Sequence, residues 1–194
     1  MNWIENLLIV AGASIDIFVA MECQGSLVKS INKKQLSVLC IAAGMMQTIA
    51  LFIGFYISDL YCRKFPESNE TLLGEIIAFS IFIALGIRLL LKALKNEFII
   101  EHLIAKFEIA KTIHVCAVTS VYTILAGIAF GFMGTNLPAI LIMTVILSII
   151  FIVAGINVGY NFGFEQKTKT YFVGTLLLFL AGADIMVRYI LHLF

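Results

Sequence analysis

The sequence predicts an all-α protein that crosses a membrane six times, and composition and hydropathy patterning are the two observations behind this prediction. Of 194 residues, 61% are hydrophobic and 13% are charged, whereas soluble domains average about 45–50% apolar and about 25% charged residues. The mean hydropathy is +1.05. Such a chain has too few polar residues to coat a water-exposed surface, which excludes soluble enzymes. Its net charge of +1 excludes the clustered basic surface that nucleic-acid binding requires.

Six apolar stretches are each long enough to cross the hydrocarbon core of a bilayer, which takes about 20 residues. They are Trp3–Met21, Leu36–Ile57, Leu72–Leu91, Ile109–Met133, Leu137–Val158 and Tyr171–Leu191. Polar clusters separate them, and runs such as Ile140–Ile152 lack the apolar–polar alternation of a transmembrane β-strand. The chain is therefore predicted to form a single transmembrane domain over 1–194.

Basic residues are distributed unequally between the two predicted sides of the membrane. Nine of the 13 Lys and Arg residues follow helices one, three and five, and three lie on the other side. Cytoplasmic loops carry the excess of Lys and Arg. We therefore expect a multi-pass protein of the cell membrane with both termini outside and the loops after helices one, three and five in the cytoplasm.

The two halves of the chain resemble each other. When the sequence is aligned with itself at an offset of 106 residues, Ser14–Ala20 of helix one aligns with Ser120–Ala126 of helix four, and Gly25 aligns with Gly131. At an offset of 96, helix three lies over helix six, with Arg88 over Asp184. These matches predict a 3+3 duplication over 1–95 and 109–194, with a cytoplasmic loop over 96–108. An odd number of helices per half makes the repeat inverted, as in many secondary transporters.

Asp16 is the candidate functional carboxylate because it lies near the middle of helix one. A charge there costs about 2.5–3.5 kcal/mol on insertion scales, and such residues usually face a cavity or an ion pathway. The small residues Gly12, Ala13 and Ala20 lie one turn away and would let another helix approach closely. The alternative is a structural carboxylate neutralised by Arg88, which has no acid three or four residues away and needs a partner on another helix.

Two further polar residues lie inside predicted spans. Gln47 is the amide in the apolar body of helix two, where it would either ligate a cation or bond a neighbouring helix. Asp184 of helix six would either contribute to the site or pair locally with Arg188, four residues later.

Several motifs resemble those of one transporter family. They are Ala13–Ala20 with its central S-I-D, Gly44–Gly54 of helix two, Leu85–Arg88 of helix three, and the glycines Gly155, Gly159 and Gly174. The first is similar to the S-M-D-A-F-A-V signature of the MntP family of manganese efflux pumps, within the broader LysE-like transporters. The likeness extends over essentially the whole chain.

The chain departs from this family at two positions. Thr119–Gly127 lies where the family has T-S-I-D-A-L-A-V-G, so that Tyr122 replaces an aspartate, and Ala50 replaces a proline in helix two. A hard divalent cation takes several oxygen ligands. The resemblance therefore implies a metal site whose oxygen donors would be Asp16, Gln47, Ser120, Tyr122 and Asp184, with Arg88 as charge partner.

The function expected from these observations is export of a divalent metal cation by alternating access, with Mn²⁺ as the first candidate ion. Mn²⁺ would be the transported substrate, and no cofactor is expected. The alternative is a LysE-like exporter of an amino acid or another small solute. An enzyme, such as a thiol-electron carrier using Cys23 and Cys116, is not expected, because the two prolines lie far from both of these cysteines. The oligomeric state, a homo-oligomer included, stays open.

Overall fold

The computed structural model describes residues 3–26, 33–64, 70–94, 109–163 and 167–193. Within them the chain forms six α-helices and no strand, and each helix is long and apolar enough to cross a membrane. The helices are α1 (Trp3–Ser26), α2 (Lys33–Lys64), α3 (Glu70–Leu94), α4 (Ile109–Phe132), α5 (Leu137–Phe162) and α6 (Lys167–Leu193). The all-helical fold with six candidate spans is thereby confirmed, whereas the predicted loop over 96–108 lies outside the described residues.

Five of the six described helices extend beyond the apolar stretches that predicted them, most of all α2, whereas α4 ends one residue before its predicted end. The sequence predicts helix two over Leu36–Ile57, and α2 runs over Lys33–Lys64. Its 32 residues span about 48 Å at 1.5 Å per residue, more than the hydrocarbon core of about 30 Å. Hydropathy marks only the part of a helix that lies in hydrocarbon. Polar residues with good helix propensity therefore continue α2 into the headgroup regions.

The distribution of side chains is the reverse of that in a soluble protein. Ile41 and Met45 of α2 are 65% and 59% exposed, while Glu22 and Gln47 are 0% and 1% exposed. Lipid solvates the outer apolar side chains, and the polar side chains lie between helices. This arrangement is typical of a helical membrane protein.

Two pairs of helices cross so closely that their backbones touch. A Cβ added at Gly159 of α5 would overlap the backbone oxygen of Glu22 in α1, and one added at Gly155 would lie 2.5 Å from the oxygen of Phe18. From the Phe18–Gly155 contact to the Glu22–Gly159 contact, the residue numbers of both helices increase, so α1 and α5 run parallel to each other. In the second pair, a Cβ at Gly54 of α2 would overlap the backbone of α4. Small residues commonly permit such crossings in membranes.

The remaining helices close the bundle around the middle of α1. α6 packs against α1 and α3, and α4 packs against α1, α2 and α3. A Cβ added at Gly86 would lie 2.7 Å from the ring of Phe179, and one at Gly182 would lie 3.4 Å from Ile83. The residue numbers run oppositely in these contacts, so α3 and α6 are antiparallel. α1, α3, α4 and α6 thus surround one buried region.

Candidate cation site

The buried region contains Asp16, which is 4% exposed on α1. It lines a small cavity together with Gly12, Ala13, Leu85, Arg88, Leu89, Tyr122 and Leu178. A Cβ added at Gly12 would lie 2.8 Å from Leu178, so the small residue lets α6 close over this side of α1. The space open to a water-sized sphere is about 10 Å³, at the lower limit for one water molecule. In this conformation the carboxylate is therefore tightly enclosed.

Both oxygens of the Asp16 carboxylate accept hydrogen bonds from cationic groups of α3. Arg88 donates through Nη1 to Oδ2, and Lys92 donates through Nζ to Oδ1 at 2.8 Å. The two residues lie four apart on α3, so they share one face of the helix. The Asp16 side chain is 5% exposed, against 22% for Arg88 and 38% for Lys92. The carboxylate is thus the buried member of the cluster, and the more exposed of the two cations, Lys92, belongs to the last turn of α3.

Two aromatic rings complete the surroundings of these cations. The Arg88 guanidinium carbon lies 3.0 Å from the centroid of the Tyr122 ring. The Lys92 ammonium lies 5.7 Å from the centroids of both Tyr122 and Tyr171. Cations are attracted to the negative faces of aromatic rings, more strongly where water is excluded. Asp16, Tyr122 and Tyr171 together therefore form a site that already holds positive charge.

The formal charges of this cluster do not cancel. One carboxylate faces a guanidinium and an ammonium, so the three side chains carry a net charge of +1. Removing one partner of a buried ion pair strongly destabilises the folded protein, because the other partner is left as an uncompensated buried charge. A doubly charged ion that binds Asp16 must therefore displace a cation or bind against a positive local charge.

The structure places the other sequence-predicted donors in different ways. Tyr122 joins Asp16 in the cavity. The Ser148 hydroxyl of α5 donates to Gln47 Oε1 at 3.1 Å, so Gln47 takes part in an interhelical bond. The Ser120 hydroxyl donates to the backbone oxygen of Cys116 at 2.8 Å, within its own helix. Asp184 is half-buried on α6, and the side chain of its predicted partner Arg188 lies outside the described part.

The structure therefore brings together Asp16, Arg88 and Tyr122 and leaves Gln47 and Ser120 bonded to other groups. Among the described residues, no three His, Cys, Asp or Glu side chains are grouped as a metal cluster. Lys92 is a part of the site that is not predicted from the sequence, where it belongs to the set of basic residues that follow helix three. The available signal was its spacing of four residues from Arg88, which puts both on one helix face.

The fold and this cluster define a class: a multi-pass helical membrane protein with a buried carboxylate held by cationic side chains. Comparison with known proteins specifies the family. Residues 30–186 match the model of the family Mntp, described as "Putative manganese efflux pump". The chain belongs to this family, which confirms the resemblance seen in its motifs. An efflux pump is a transporter, which is not a class of enzyme.

Several curated relatives match over nearly their whole length. The chain is 28% identical over 205 residues to "Putative manganese efflux pump MntP" of Bacteroides thetaiotaomicron, covering 100% of this chain and 99% of that protein. It is 25% identical over 186 residues to the protein of the same name from Acetivibrio thermocellus, covering 96% and 91%. The corresponding protein of Methanobrevibacter smithii is 23% identical, with 96% and 97% covered. No solved structure matches the chain.

Proposed function

We propose that the protein is a secondary transporter that exports a divalent cation, with Mn²⁺ as the first candidate ion and Asp16 as the central ligand of that cation. The observation that carries this proposal is a carboxylate that is 4% exposed inside a membrane span and binds two cationic groups. Ionisable residues held inside a membrane at such cost commonly mark ion pathways. The printed names of the relatives, manganese efflux pumps, support the choice of ion.

The proposed ligands are oxygen atoms, which hard divalent cations prefer. Asp16 and Tyr122 line one cavity, and we assign them first. Gln47, Ser120 and Asp184 stay proposed donors for a state in which the helices have moved relative to one another, because Gln47 and Ser120 are bonded elsewhere here. Arg88 would remain beside Asp16 and hold the carboxylate in place.

We further propose that the cation crosses by alternating access between two inverted three-helix halves. In such a repeat, α1, α2 and α3 correspond to α4, α5 and α6. The contact between α1 and α5 then corresponds to the contact between α4 and α2, and the contact between α3 and α6 corresponds to itself. Gly25 of α1 packs on α5, and Gly131, 106 positions later, packs on α2. These correspondences support a repeat, and rocking of two such halves around a central site is a common transport mechanism.

The proposed cytoplasmic entrance is at the end where α1 and α3 finish and α4 and α6 begin. Thr112 near the start of α4 donates to Gln24 near the end of α1 at 3.3 Å, so these ends share one side. Exposed Lys34 and Lys169 belong to the basic set that predicts this side to be cytoplasmic. Lys92 belongs to the last turn of α3 at this end and bonds Asp16, so we expect an exported cation to meet it before the carboxylate.

A second candidate function is export of an amino acid or another small solute that carries a negative group. The observation that favours it is the net charge of +1 of the Asp16, Arg88 and Lys92 side chains. A carboxylate of the solute would bind the two cations. The ammonium group of the solute would compete with the Arg88 guanidinium and the Lys92 ammonium for Asp16.

Flux measurements with purified protein in liposomes separate the two candidates. We expect saturable, protein-dependent transport of Mn²⁺, weaker transport of Mg²⁺ and Ca²⁺, and no flux across a panel of amino acids. Empty liposomes give the leak of each solute. Amino-acid flux without Mn²⁺ flux would replace the first candidate with the second, and flux of neither would contradict both.

A further inference from the structure

The two cations that bind Asp16 are held to different degrees. Arg88 bonds Oδ2, and its guanidinium lies 3.0 Å from the centroid of Tyr122. Lys92 bonds Oδ1, its ammonium is 5.7 Å from the two nearest ring centroids, and its side chain is 38% exposed. Arg88 therefore has two close partners inside the bundle. Lys92 has one close partner, and more than a third of its side chain is exposed.

We propose that Lys92 is a tethered cation that occupies the place of the transported ion at Asp16 Oδ1 and is displaced when that ion binds. This inference rests on the proposed function and assigns a specificity-determining role to a residue that the sequence motifs did not indicate. The ammonium is a compact, singly charged group at 2.8 Å from the carboxylate oxygen. An arriving cation must compete with it for the same atom.

The position of Lys92 makes its release less costly than that of Arg88. It lies two residues before the last residue of α3, Leu94. A lysine near a helix end can extend its ammonium to the interface while its methylene groups stay among apolar neighbours. The ammonium thereby loses its hydrogen bond to one carboxylate oxygen and gains hydrogen bonds to water and lipid headgroups. The guanidinium of Arg88, four residues deeper in the span, would lose both the carboxylate and the Tyr122 ring.

Release of Lys92 also changes the charge that the substrate meets. With both cations present, the cluster carries a net charge of +1. With Lys92 withdrawn, Asp16 and Arg88 balance, and Oδ1 is free to ligate. A divalent cation then binds a neutral site instead of a positive one. Binding and lysine release are thus coupled, and the lysine returns when the ion leaves, which keeps the carboxylate paired in the empty transporter.

The test measures Mn²⁺ binding through the thermal stability of the full-length protein in detergent, because a ligand that binds the folded state raises the melting temperature. The variants are Lys92→Met, which removes the ammonium but keeps the length, and Lys92→Arg, which keeps a tethered cation. Lys169→Met is the matched control, because it removes an exposed lysine from the same end. Asp16→Asn in parallel reports how much of any Mn²⁺ effect depends on the carboxylate.

We expect the Mn²⁺ dissociation constant, fitted to the rise of the melting temperature with Mn²⁺ concentration, to fall about fivefold in Lys92→Met, the effect of losing one partly exposed ion pair. Lys92→Arg and Lys169→Met should stay near the wild type. If Lys92→Met does not fold, Lys92→Gln takes its place with the same expectation. A general loss of stability lowers all melting temperatures without lowering this dissociation constant.

Two results would overturn the inference, and they differ in what they imply. If Asp16-dependent stabilisation by Mn²⁺ is present but the Mn²⁺ dissociation constant is unchanged or higher in Lys92→Met, Lys92 is not a competitor and the proposed function stands. The same holds if Lys169→Met gives an equal decrease, since the effect is then general surface charge. If Mn²⁺ produces no Asp16-dependent shift in any variant, the proposed function fails and the inference fails with it.

Discussion

Asp16→Asn is expected to abolish Mn²⁺ export while the protein still inserts into the membrane. The amide has nearly the same volume as the carboxylate but carries no charge, so a divalent cation loses its one acidic ligand in the cavity. Cells that overexpress the wild type should hold less Mn²⁺ and survive higher external Mn²⁺ than cells with the variant. In liposomes, we expect the saturable Mn²⁺ flux to fall at least about 100-fold, which corresponds to about 2.7 kcal/mol of lost stabilisation of the cation on its way across.

The control for this experiment is Asp59→Asn, which makes the same change at a half-buried carboxylate of α2 outside the cavity. Its flux should stay near the wild-type value. Asp16→Asn should also lower the melting temperature, because Arg88 and Lys92 lose their anion. Adding Arg88→Gln should recover part of that stability without recovering flux. Full protection of cells by Asp16→Asn would show that the carboxylate has a structural role alone.

Gly54→Ala is expected to be the most destabilising small substitution in α2. Its added Cβ would overlap backbone atoms of α4, including the oxygen of Ile124, and a backbone cannot move aside as the end of a flexible side chain can. Overpacking of this kind typically costs 1–3 kcal/mol and occasionally more. We expect the melting temperature to fall by about 5–10 °C, together with a lower yield of monodisperse protein.

Gly44→Ala is the matched control, because it makes the same change in the same helix where no atom lies within 4 Å of the added Cβ. Its melting temperature should be unchanged or slightly higher, since alanine favours a helix over glycine by about 1 kcal/mol. A melting temperature that is unchanged or slightly higher in both variants would mean that the close α2–α4 crossing does not exist and that the substitutions act through helix propensity alone.

The sequence predicts the helices well because one physical constraint dominates them. A span needs about 20 apolar residues, and the backbone in hydrocarbon must satisfy its own hydrogen bonds. The prediction for helix four, Ile109–Met133, accordingly differs from α4 by one residue at its end. Larger differences, as in α2, occur where the helix leaves hydrocarbon and hydropathy no longer marks its length.

The site was harder to predict because it depends on how helices are placed relative to one another. The central position of Asp16 and the need of Arg88 for a distant partner follow from the sequence. The contact of Lys92 with Asp16 depends on how α4 and α6 hold α3 within side-chain reach of α1, which the periodicity of either helix does not specify. The roles of Gln47 and Ser120 likewise depend on which neighbour their polar atoms reach, here Ser148 and the Cys116 backbone.

Tyr122 gives the departure from the family motif a physical meaning. The family aspartate would place a second negative charge near Asp16. In this chain, the aromatic ring instead lies against the Arg88 guanidinium, attracting a cation without carrying a formal charge. The site therefore keeps one carboxylate and two cations, which makes the competition between Lys92 and a transported ion more important than it would be with two carboxylates.

The central claim is that Asp16 ligates the transported cation, and anomalous diffraction at the manganese absorption edge tests it most directly. Crystals of the full-length protein would be grown with Mn²⁺ at a concentration that raises its melting temperature. We expect an anomalous peak at bonding distance from the Asp16 carboxylate, with Arg88 still bonded to Oδ2 and the Lys92 ammonium withdrawn from Oδ1. A Mn²⁺ peak elsewhere, with Arg88 and Lys92 both still bound to Asp16, would contradict it.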